Sequence, residues 1–109
     1  MNAQNKDGWT PLMFALRNES GTVTVEVINK ILDLNPDVNA QDKEGWTPLM
    51  FALLNESGTV TAEVMNKILN LNPDVNVRNK DGRSPLMIAF RNESGKVTVE
   101  VMNKIMNLA

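Results

Sequence analysis

Laid against itself, the sequence returns every 37 residues: NAQNKDGWTPLMFALRNESGTV from Asn2, NAQDKEGWTPLMFALLNESGTV from Asn39 and NVRNKDGRSPLMIAFRNESGKV from Asn76. A fixed period of this length means one supersecondary unit used repeatedly, each unit burying its apolar face only against a stacked neighbour. The first two units differ at only six positions, Asn5/Asp42, Asp7/Glu44, Arg17/Leu54, Val25/Ala62, Ile28/Met65 and Asp33/Asn70, so they share one local structure. The third diverges further and stops at Ala109, before the NPDV that closes the other two. The register suggests an array cut from a longer one or built deliberately. Residues 1–109 are expected to form a single domain, with repeats at 2–38, 39–75 and 76–109.

Within a unit, Thr10-Pro11 reads as a helix start. Threonine can cap free amides, and proline at the first helical position has no amide hydrogen to lose. Leu12, Ala15 and Leu16 then share a face, repeated as Leu49, Ala52, Leu53 and as Leu86, Ala89, Phe90. This helix should end near Gly21. A second helix is expected from about Thr24 to Leu34, with Val27, Ile28, Ile31, Leu32 and Leu34 on its apolar side. TVTVEV also alternates as a strand would, but NKILDL continues the helical stripe and Pro36 stops it. The DVNAQDKEG stretch between units reads as an exposed turn or hairpin. The fold class is all-α, a helix-turn-helix solenoid. Leu49, in the middle unit, should be covered from both sides and so cost more to truncate than Leu12.

DVNAQDKEGWTPLMFAL, from Asp37 to Leu53, resembles the ankyrin repeat, in which DVNA, an Asp, a Gly and TPLH-x-A recur. The resemblance covers nearly the whole chain. Two departures stand out. The usual unit is about 33 residues, and the extra residues fall in NESGTVTVE between the helices. The family's histidine, which the resemblance implies would tie neighbouring turns together by hydrogen bonds, is replaced by Met13, Met50 and Met87. Dispersion contacts are expected to take over that role.

Composition removes most chemistry. With no cysteine there is no disulfide, thiolate nucleophile or thiolate ligand, and with no histidine the commonest general base is gone. Ser20, Ser57, Ser84 and Ser94 lack any activating partner or elbow motif. Asp7, Asp42, Glu44 and Asp81 near the turns could ligate a hard cation, but Lys6, Lys43 and Lys80 offset their charge and no EF-hand spacing is present. The reading is therefore no enzyme, no metal and no cofactor. The Asn-Glu-Ser triplets at Asn18, Asn55 and Asn92 fit the glycosylation acceptor pattern, which matters only in a secreted chain. MNAQNKDGWT lacks the features of a signal peptide and no apolar run suits a membrane span, so a soluble cytoplasmic protein is expected. A net charge of -2 gives no field to attract nucleic acid or a membrane.

What the resemblance implies instead is a protein partner on the concave face. Mapped onto this chain, that face comprises Gln4, Lys6, Asp7, Trp9, Arg17 and Asn18, then Gln41, Lys43, Glu44, Trp46, Leu54 and Asn55, then Arg78, Lys80, Asp81, Arg83, Arg91 and Asn92. Trp9 and Trp46 read either as partner contacts or as packing between turns, and Leu54 stands where Arg17 and Arg91 are charged. Repeats one, two and three carry net charges of -2, -3 and +3. The basic third repeat reads as solubilising rather than as a site for an acidic protein or for RNA, and no aromatic residues interleave with its charges as stacking platforms would. The alternative class is an engineered or model repeat protein without a dedicated partner, prone to end-to-end or swapped self-assembly. Repeat one keeps Leu12, Phe14, Leu16, Ile28 and Ile31 unmodified, and repeat three keeps Met87, Ile88, Phe90, Met102, Ile105 and Met106 apolar, with Lys96 and Lys104 weakly opposing contact.

Overall fold

The computed structural model describes residues 3–17, 23–54, 60–91 and 98–109. Among the described residues six helices follow in pairs: α1 Pro11–Arg17, α2 Val25–Asp33, α3 Pro48–Leu54, α4 Ala62–Asn70, α5 Pro85–Phe90 and α6 Val99–Leu108. No strand occurs among the described residues, so the alternation in TVTVEV yields to the helical stripe. The helix end expected at Gly21 and most of the extra inter-helix residues lie outside the described residues.

Local chemistry sets the helix boundaries. Thr24, Thr61 and Thr98 each have extended backbone and accept a hydrogen bond from the amide three residues on, capping α2, α4 and α6. Thr10, Thr47 and Ser84 do the same before the prolines of α1, α3 and α5. At the other end of α2 and α4, Asn35 and Asn72 take the left-handed conformation with φ of 55° and 56°. Asparagine tolerates that region, and the following Pro36 and Pro73 cannot extend the helix. The methionine at the histidine position keeps one acceptor: the Thr10 amide points at Met13 Sδ at 3.5 Å. Sulfur is a weak acceptor, so Met13 retains a local polar contact in addition to its buried packing.

The helices stack in two rows, α1-α3-α5 and α2-α4-α6, with one continuous core running between them. Position within the unit decides which neighbour covers a side chain. Leu12, Leu16 and Ile28 face the following repeat and are buried, as are their copies Leu49, Leu53 and Met65. Leu12 and Leu49 are therefore equally covered, so the difference in cover between the first and the middle unit that the sequence suggests is absent at this position. Phe14, Val27, Ile31 and Leu34 face the other way, toward the preceding repeat. Phe14 is 54% exposed whereas its copy Phe51 is 8% exposed. At the far end the pattern inverts: Phe90 is 62% exposed against 1% for Leu53, and Met87 and Met106 are also exposed while Met50 and Leu69 are buried. Ile88 and Ile105 face back into the stack and are buried, so the apolar end of repeat three is narrower than its sequence implies.

Candidate functional site

The turns that precede α1, α3 and α5 are built alike. In the first, Asn5 Oδ1 accepts from the amides of Asp7 and Trp9, both at 2.9 Å. In the second, Asp42 Oδ1 accepts from Glu44 and Trp46 at 2.9 and 2.8 Å. In the third, Asn79 Oδ1 accepts from Asp81 and Arg83 at 2.9 and 3.1 Å. Short polar side chains that bond their own backbone two to four residues on are strong turn formers. Each turn is closed by paired backbone bonds, such as Asp42 N to Trp46 O and Gly45 N to Asp42 O, both 3.0 Å. Adjacent turns are then tied together: Lys43 N donates to Asp7 O and Lys80 N to Glu44 O, each at 2.9 Å. Gln4 Nε2 donates to Gly8 O and Gln41 O, and Gln41 Nε2 to Gly45 O. The side chains at the turn tips therefore form a row on a frame of fixed spacing.

Asp42 is buried within this frame, so it is a brace and not the exposed acid that its sequence context suggests. Removing its carboxylate leaves two turn amides without their partner, whereas asparagine restores the acceptor, as Asn5 and Asn79 show. Asp42→Ala is expected to cost roughly 1–3 kcal/mol and Asp42→Asn far less, checked by urea denaturation of both variants. No three acidic side chains among the described residues are grouped so as to hold a metal ion.

Beside the turns runs a row of rings. Trp9 lies 4.8 Å from Phe14 in its own repeat and 4.8 Å from Phe51 in the next, and Trp46 lies 5.3 Å from Phe51. Both tryptophans are partly buried and pack against the core, and Trp9 bridges the junction between the first two repeats. The Arg17 guanidinium sits over Trp9 at 5.0 Å. Leu54 holds the matching position in repeat two and is 47% exposed. In repeat three Arg83 replaces the tryptophan and Ile88 the phenylalanine, which ends the aromatic row.

Of the mapped surface residues, Gln4, Lys6, Asp7, Arg17, Gln41, Lys43, Glu44, Leu54, Arg78, Lys80, Asp81, Arg83 and Arg91 are exposed, while Trp9 and Trp46 are partly buried. Asn18, Asn55 and Asn92, and with them the glycosylation triplets, lie outside the described residues. The exposed ring of Phe14 beside Trp9, flooring a shallow depression of about 450 Å³ with Pro11 and Asn5, is a feature that the concave-face mapping misses. Its signal was the unchanged Phe14 in a unit with no described repeat before it.

Paired short helices stacked in two rows, with hydrogen-bonded turns along one edge, define a helical repeat solenoid. The family model for ankyrin repeats (3 copies) matches residues 1–62 and 20–106, and the chain belongs to the ankyrin-repeat family. Ankyrin repeats are generally protein-interaction modules. No curated protein matches this chain. No helix among the described residues is long and apolar enough to cross a membrane.

Proposed function

We propose that this chain binds a protein partner along the row of turn tips and first helices, and that it performs no reaction. The observation that carries this reading is a constant frame with variable exposed positions. The turn braces, caps and core leucines repeat, while the surface positions change from unit to unit: exposed Gln4, Gln41 and Arg78; exposed Arg17, Leu54 and Arg91; and partly buried Trp9 and Trp46 against exposed Arg83. A frame held by its own hydrogen bonds loses little ordering entropy on binding. Exposed Leu54, flanked by arginines in the other repeats, supplies an apolar anchor near the centre of the row, where hot spots gather.

The reading is tested by isolating a partner from the source extract on immobilised protein and titrating it against variants. Leu54→Asp and Arg17→Ala should each weaken binding, whereas Lys30→Ala, on the exposed side of α2, should leave it unchanged. Equal affinity for all three variants would overturn the assignment of this face. Trp46→Ala is a poor probe, because it also removes packing against Phe51.

A further inference from the structure

The two ends of the stack match each other. At the leading end the preceding-facing side chains Phe14, Val27 and Leu34 are exposed, and at the trailing end the following-facing Met87, Phe90 and Met106 are exposed. Each interior junction already joins these two kinds of surface: the copies Phe51 and Val64 on one side, and Met13, Leu16 and Leu32 on the other, are buried. The backbone ends match as well. The ladder from turn to turn leaves the Lys6 amide at one end and the Asp81 carbonyl at the other without a neighbouring turn among the described residues, in the places where Lys43 and Asp7 bond each other. Gly82 tells the same story. A Cβ on Gly8 would lie 2.9 Å from Asp42 Cα and one on Gly45 would lie 2.9 Å from Asn79 Cα, but one on Gly82 would meet nothing within 4 Å. The site that would fill that space is the next copy of Asn5.

We propose that the trailing face of one chain docks on the leading face of a second copy, extending the ankyrin stack head to tail through the same contacts that join its repeats. Charge favours this pairing over face-to-face contact of like ends. Repeat three has six basic residues against three acidic, and repeat one has five acidic against three basic. Lys104 opposes the contact little, because its ammonium reaches back to Asn66 Oδ1 of the preceding repeat and pairs with Glu100 on its own helix; Lys96 lies outside the described residues. Arg83 stands where Trp9 covers Phe51, so across the new junction its guanidinium meets the exposed face of Phe14, a cation and ring pairing. Contact of two different surfaces leaves one free face of each kind after every docking step, so the product grows as a series and is not a fixed two-fold dimer.

Two variants, each blocking one end, test this. Gly82→Asn keeps the left-handed turn, which asparagine tolerates, but places a Cβ against the second copy's Asn5. Phe14→Glu puts a charge on the leading face, where the side chain is already half exposed. Neither change enters the core, so an unchanged circular dichroism spectrum and a cooperative melt with only a small loss of midpoint confirm folding. For the unmodified chain, light scattering from micromolar to millimolar protein should show mass climbing past twice 12.1 kDa. Each variant alone should need a concentration about tenfold or more higher to associate. Mixed together they should form a one-to-one pair and nothing larger, because the intact trailing face of one meets the intact leading face of the other. A mass fixed at the monomer for the unmodified chain, or single variants that associate as it does, or a mixture that stays monomeric, would overturn the proposal. Every readout is the mass of the chain with no partner present, so failure here leaves the partner-binding reading standing.

Discussion

Gly45→Ala is expected to destabilise the chain by roughly 2–5 kcal/mol, combining a strained backbone of about 1–2 kcal/mol with an overpacked junction of about 1–3 kcal/mol. Gly45 has φ of +82°, a conformation that a β-carbon disfavours, and its added methyl would stand 2.9 Å from the Cα of Asn79. The obstacle is backbone, so no rotamer change relieves it. The turns would have to separate, stretching the bond from Lys80 N to Glu44 O and drawing Asn79 out of its buried place. Gly82→Ala isolates the first cost. Its φ is +79° but nothing lies near the added carbon, so it should lose only the backbone share. Gly8→Ala should resemble Gly45→Ala, because Asp42 Cα waits at the same 2.9 Å. Denaturant titration of the three single variants gives the comparison. Equal losses at all three glycines would mean that the turns are not packed against one another.

Much of this architecture is legible in the repeat itself. The cap at Thr10, the start of the second helix near Thr24, the stripe of α1, the stop at Pro36 and the all-helical class follow from rules that act within a few residues, so three copies of one unit reinforce each reading. What the sequence left open depends on neighbours. Asp42 looks like any exposed acid until the preceding turn is placed over it. The same holds for the apolar stripe: a helical period marks Leu12, Phe14 and Leu16 as apolar but does not say that Leu12 and Leu16 face one neighbour and Phe14 the other. The Asx-x-x-Gly spacing of Asn5 to Gly8, Asp42 to Gly45 and Asn79 to Gly82 was the available clue to the turn braces. Trp9 and Trp46 read as packing or partner contacts from sequence alone, and the ring contacts show that both take part in packing while part of each indole stays accessible.

Repeats that differ by one charge also rewire local bonds. Lys67 reaches Asp33 at 3.4 Å in the preceding unit. Its counterpart Lys104 faces neutral Asn70 there and bonds Asn66 Oδ1 at 2.6 Å. The matching oxygen of Asn29 is buried without a partner, because Lys67 is drawn to the carboxylate instead. The Asp33/Asn70 difference is thus a choice between an exposed ion pair, worth little, and a satisfied buried amide.

Phe51→Ala is expected to cost about 3–5 kcal/mol, the range for removing a buried aromatic ring, while Phe14→Ala costs well under half as much. The two phenylalanines are copies of one residue in helices of nearly identical sequence, α1 and α3, so propensity and capping cancel in the comparison. What differs is cover. Phe51 lies between Trp9 at 4.8 Å and Trp46 at 5.3 Å, and only 8% of it is exposed. Its removal opens a cavity across the first junction that the backbone turns, locked by their own bonds, cannot close by collapsing. Phe14 touches Trp9 on one side and solvent on the other, so alanine there leaves a shallower surface rather than a void. The chain has two tryptophans and no tyrosine, so its fluorescence comes from the rings that flank Phe51. Phe51→Ala should therefore alter the native emission as well as lower the denaturation midpoint, and Phe14→Ala should alter emission through Trp9 with only a small change in midpoint. Equal shifts in midpoint would mean that Trp9 does not bridge the first two repeats in solution, and the stacked junction would have to be redrawn.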